Sequence, residues 1–193
     1  MFIQTEDTPN PASLKFLPGE AVLGAGASPM DFPTYESASV SPLARALFAV
    51  DGVVSVLLGA DFVTVSKDET VEWAHMKPSV LGVIADHYAA GLPAVEAGAG
   101  DAKAGPSLDD YEGEDREIVE QIVELLDTRV RPAVAQDGGD ITFSRYVSGE
   151  GVVFLHMQGA CAGCPASTYT LKQGVENMLK HYVPEVTRVE AVV

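Results

Sequence analysis

Apolar residues near the end of the chain fall at Leu171, Val175, Met178, Leu179 and Tyr182, the spacing of an amphipathic helix. The same rhythm runs through Ile118, Ile122, Leu125, Leu126 and Val130, behind an acidic first turn suited to the positive end of a helix dipole. Pro132 is expected to kink this helix, because it offers no amide to the helical ladder. Between these two helices the period becomes alternating: Ile141, Phe143 and Arg145 against Thr142, Ser144 and Tyr146, then a turn at Gly149-Glu-Gly151, then a second strand from Val152 to Met157. A last strand from Val186 to Val193 completes the order helix, strand, strand, loop, helix, strand.

The first half reads differently. Short strands over Phe2–Thr5 and Leu14–Leu17 flank the turn-forming run Thr8-Pro-Asn-Pro11. Ser41-Pro42 is an N-cap followed by proline at the first helical position, and Leu43, Leu47 and Val50 supply the apolar stripe that ends at Asp51-Gly52. Val53–Leu58 and Phe62–Ser66 form a hairpin. Met76, Val80, Ile84 and Tyr88 mark a helix that stops at Gly91, with Trp73 and Phe48 expected in the core. The fold class is α+β, as two small α/β domains.

From Pro93 to about Asp115 the pattern lapses into Ala, Gly, Pro, Asp and Glu, and between Val95 and Ile118 only Leu108 and Tyr111 are large and apolar. The expected division is a domain over 1–92, a linker over 93–112 and a domain over 113–193. Treated as a flexible coil, the stretch from Ala94 to Asp109 spans about 20 Å.

Composition narrows the function. Hydrophobic residues make up 47% of the 193, enough for a packed core, while 28 acidic residues stand against 12 Lys and Arg. The net charge of -16 would repel a phosphate backbone or an anionic membrane surface, so neither nucleic acid nor membrane is an expected partner. No apolar run approaches the roughly 20 residues of a bilayer span. The opening Met1-Phe-Ile-Gln-Thr-Glu-Asp carries neither an export signal nor a transit peptide, which leads to the expectation of a cytoplasmic, bacterial-type protein.

The candidate chemistry lies in the only two cysteines, Cys161-Ala-Gly-Cys164, between a strand end and a helix start. Unpaired amides and the helix dipole there are expected to favour thiolates, Gly159 and Gly163 to allow positive φ, and Pro165 to start the helix. A cluster ordinarily takes four thiolates, so this chain supplies half a ligand set and a second copy the rest. The spacing alone also serves zinc sites and thiol-disulfide exchange. His156 is a weaker candidate ligand. Tyr169 and Lys172 are candidate contacts to a cluster or a recipient, and Asp137 and Asp140 are expected to form a turn around Gly138-Gly139. No Ser-His-Asp set, phosphate-cradling loop or nucleotide fingerprint occurs.

These residues resemble a known family. Asp137-Gly-Gly-Asp-Ile141, Gly159-Ala-Cys-Ala-Gly-Cys-Pro165, Thr170-Leu-Lys172 and Pro184-Glu-Val186 look like the NifU C-terminal domain. Thr5-Glu-Asp-Thr-Pro-Asn-Pro11, Lys15-Phe-Leu-Pro-Gly19, Ser41-Pro-Leu-Ala-Arg45 and Gly52-Val53 resemble the N-terminal domain of Nfu proteins. The resemblance implies a non-enzymatic carrier that holds a [4Fe-4S] cluster, with a [2Fe-2S] form also possible, between two subunits of a homodimer. Cys161 and Cys164 are the implied ligands, and the implied partners are upstream cluster donors and apo client proteins. The scaffold and ferredoxin-like domains of full NifU are not matched, which favours late-stage transfer over assembly.

Overall fold

The computed structural model describes residues 2–98, 108–163 and 165–192. The chain divides into two compact units, Met1–Lys103 and Ala104–Val193. Both mix helix and sheet, as the periodicities require. Among the described residues no helix is long and apolar enough to cross a membrane.

In the first unit, strands β1 (Gln4–Asp7), β2 (Ser13–Leu17), β3 (Met30–Phe32), β4 (Val53–Leu58) and β5 (Val63–Lys67) form an antiparallel sheet in the order β1-β2-β5-β4-β3. Helices α1 (Pro42–Phe48) and α2 (Trp73–Ala89) belong to the same unit, with a short 3-10 turn over Ser37–Val40 before α1. Leu43, Leu47, Met76, Val80 and Ile84 from the helices meet Leu14, Phe16, Val56, Leu58, Val63 and Val65 from the strands in one core. Each such fully buried side chain contributes about 1.5–3 kcal/mol over its exposed state. The expected N-cap is formed: Ser41 Oγ accepts from Ala44 N at 3.0 Å. Trp73 is half-buried rather than fully so, its ring tilted on Phe16 and its Nε1 donating to the carbonyl of Pro11 at 3.1 Å.

Strand β3 has no counterpart in the pattern. It is three residues long, too short for alternation to register, and is specified by its antiparallel pairing with Leu58, Leu57 and Val56.

The apolar residues of the expected linker are docked at both ends. Ala94 and Val95 pack against the first core, with Glu96 N donating to Val40 O at 2.9 Å. Leu108 and Tyr111 pack against the second core. The centre of that segment, 99–107, lies outside the described residues.

In the second unit, α3 (Gly113–Leu125) runs into a π-helical turn over Leu126–Val130 and then α4 (Arg131–Gln136). The widened turn falls just before Pro132, so the ring meets a register change instead of a tight ladder. Strands β6 (Gly139–Val147) and β7 (Val152–Gly159) pair antiparallel, and β8 (Arg188–Val192) lies parallel to β7. A parallel neighbour needs a long crossover, and α5 (Pro165–Tyr182) is that crossover.

A β-bulge between Phe143 and Arg145 corrects the simple alternation expected for β6. With Ser144 as the extra residue, Phe143 and Tyr146 both face the core while Arg145 turns to the other face, its guanidinium 4.1 Å over the Phe154 ring.

Candidate functional site

The loop after β7 is built from two overlapping tight turns: Cys161 N donates to Gln158 O at 3.2 Å and Ala162 N to Gly159 O at 3.1 Å. Gly159 and Gly163 have φ of 59° and 78°, as the geometry of such a loop requires. The first turn of α5 closes on the loop through Thr168 Oγ1, which donates to Cys161 O at 3.1 Å.

Cys161 itself is a free thiol, only 5% exposed, and belongs to the core cluster together with Met157, Ile141 and Val134. The second cysteine of the pair, Cys164, lies outside the described residues.

The expected stabilisation of a thiolate is not what surrounds Cys161. Its pKa is pushed up to about 12, first by burial and then by the negative charges of Asp140 and Asp137. A helix dipole acts within the first turn, whereas Cys161 precedes α5 and is turned inward, so desolvation prevails.

On the opposite side of the loop stands the Asp137-Gly-Gly-Asp140 turn. Gly138 O accepts from Ala160 N at 3.2 Å, and Gly139 pairs with Gly159 at the start of the β6–β7 ladder. A Cβ on Gly139 would overlap Cys161 Sγ outright and would lie 3.0 Å from Cys161 N. Asp140 is 1% exposed, and its carboxylate accepts two hydrogen bonds from Arg131. Asp140 is therefore a buried ion-pair partner that fastens α4 to β6, a role beyond turn formation.

The other candidates take different places. His156 is on the face of β7 opposite Leu155 and Met157, paired with Thr142. Among the described residues no group of three or more His, Cys, Asp or Glu side chains is placed to hold a metal. Lys172 is engaged with Glu190 at 2.7 Å. Tyr169 is 65% exposed on the first turns of α5. From Gly151 to Leu171 the chain carries no Asp, Glu, Lys or Arg, so the charges acting on the cysteine loop come from outside that stretch, from Asp137 and Asp140 among them.

A glycine-flanked cysteine pair between a strand and a crossover helix, on an α+β unit preceded by a second α+β unit, defines a two-domain protein of the NifU-like class. Residues 3–91 match the N-terminal domain described as scaffold protein Nfu/NifU, and residues 122–190 match the NifU-like domain. The chain belongs to this Nfu/NifU family. It is 54% identical over 193 residues to the protein named "NFU1 iron-sulfur cluster scaffold homolog, mitochondrial" of Drosophila persimilis, and 55% identical over 192 residues to its namesake in Drosophila erecta. All of this chain aligns, to 65% of the length of each relative. A solved NifU-like protein from Saccharomyces cerevisiae is 30% identical, with a TM-score of 0.47, over 50% of this chain and 86% of that one.

These relatives overturn the expectation of a cytoplasmic, bacterial-type protein, since they are named mitochondrial. That expectation rested on a few opening residues, and targeting segments are distinct from the folded domains they accompany.

Proposed function

We propose that this protein is an iron-sulfur cluster carrier: two copies hold one [4Fe-4S] cluster between them through Cys161 and Cys164 of each, and release it to apo-proteins. The observation that carries the reading is the ligand count of the loop, two cysteines in a chain that has no others, against the four thiolates a cluster ordinarily takes. The relatives' name, iron-sulfur cluster scaffold, supports the same cargo.

The chain's part is to bind and hand over, without chemical turnover. Cys161 and Cys164 bind iron as thiolates, so loading displaces the proton that burial keeps on Cys161. Burial of Cys161 counts against it as the attacking thiol of a thiol-disulfide exchange.

Anaerobic reconstitution with ferrous iron and sulfide, followed by elemental analysis and light-scattering mass measurement, tests the reading. The expected result is about four irons per pair of chains and a mass that doubles on loading. Zinc in protein purified without air, or a full cluster on a single chain, overturns it.

A further inference from the structure

The Asp137–Asp140 turn leaves no room for a side chain at Gly139, and what occupies that room is the Cys161 thiol. The contact is not incidental to strand pairing. Gly139 is already satisfied in the ladder by Gly159, and the cysteine is brought back over it by the turns at Gln158–Ala162 and the bond from Ala160 N to Gly138 O. Thr168 holds the loop from the α5 side. The thiol is thus lodged between β6 and the core, 5% exposed, while a cluster shared with a second copy has to meet sulfur at the surface.

We propose that Gly139 is a positioning residue for the cysteine loop: having no side chain, it seats the Cys161 thiol against the Asp137–Asp140 turn, and loading begins with the thiol leaving that seat. This rests on the carrier reading for its second step. Its first step concerns the chain alone. On leaving, the thiol gives up its place against Gly139 in the core cluster, releases its proton to solvent and bonds iron as a thiolate, and the bond from Ala160 N to Gly138 O is given up. Seated, the thiol is shielded from oxidants and stray metals. A carrier with its ligands permanently outward lacks that protection.

The test uses the full chain with Cys164→Ser, which leaves Cys161 as the single thiol. Alkylation by iodoacetamide is expected to run at least about tenfold slower than in the urea-unfolded chain, because access follows opening of the seat. Adding Gly139→Ala is expected to expel the sulfur and bring labelling close to the unfolded rate. Native labelling as fast as unfolded, or labelling unchanged by Gly139→Ala in a chain whose circular dichroism is native, overturns the seat. If Gly139→Ala lowers the thermal midpoint sharply, the same substitution on a Cys161→Ala background should lower it less, and an equal loss also overturns the seat.

The leaving step is read by hydrogen exchange at the Ala160 amide. It is expected to exchange faster in the iron-sulfur-loaded chain than in the chain without iron, and equal rates overturn that step. If no cluster loads, the carrier reading fails, while the labelling result still decides the seat.

Discussion

Arg131 grips Asp140 as a fork, Nε to Oδ1 at 2.9 Å and Nη2 to Oδ2 at 3.0 Å, while its Nη1 reaches Asp127 Oδ1 at 2.9 Å. The fork joins the register change in the long helix to the turn that carries Gly139. Asp140 has almost no access to water, and Arg131 gives its carboxylate two charge-assisted hydrogen bonds in place of it.

Removing the cation should therefore cost more than removing both partners. Arg131→Leu is expected to destabilise the second unit by about 3–5 kcal/mol through the stranded carboxylate, and Arg131→Leu with Asp140→Leu by distinctly less. Arg131→Lys keeps the charge but loses the fork, and should fall between. Urea denaturation followed in the second unit ranks the three; a double substitution worse than Arg131→Leu alone contradicts this account.

Ser41 has two tasks. Its Oγ accepts the Ala44 amide as the N-cap of α1 and donates to Ala94 O at 2.6 Å. Ser41→Ala is expected to cost about 0.5–2 kcal/mol for the cap. It should also loosen residues 94–96, which proteolysis at that segment would report as faster cleavage.

His87, near the end of α2, is 5% exposed, and its Nε2 has no hydrogen-bond partner among the described residues. Burial pushes its pKa below the ordinary value of 6.5, partly offset by backbone hydrogen bonds at Pro93 and Leu92. The unfolded chain therefore binds this proton more readily than the folded one. The neutral ring's contribution is complete above pH 6.5 and is lost as pH falls through that value toward the lower folded pKa. Titration of the His87 ring resonances should give a midpoint under 6.5, and His87→Phe should flatten the acid side of the stability profile of the first unit. A midpoint above 6.5 would refute the assignment.

Much of this was legible from the residue pattern because each element agreed with its local chemistry. Ser41-Pro42 fixed the start of α1, and the apolar rhythm from Leu171 to Tyr182 lies within α5. What escaped the pattern depends on partners distant in sequence. Strand β3 exists through β4, the bulge at Ser144 moves Tyr146 into the core, and Arg131 finds Asp140 only when helix and strand are folded together. At the site, the positive φ of Gly159 and Gly163 was readable, but the inward turn of Cys161 was not. The helix dipole argued for an ionised sulfur, and burial, with the charges of Asp140 and Asp137, decided for a protonated thiol.

The bulge in β6 has one more consequence. In the sheet order β6-β7-β8 this nine-residue strand has, among the described residues, one flank without a strand neighbour, the kind of margin onto which a second chain adds by strand pairing. The extra residue breaks the run of evenly spaced amides, and Tyr111 Oη accepts the Tyr146 amide at 2.9 Å, capping a donor that an incoming strand would need. Indiscriminate self-assembly is blunted along that margin. A protein whose proposed work is to pair with its own copy and part again gains by confining that pairing to the cysteine loop.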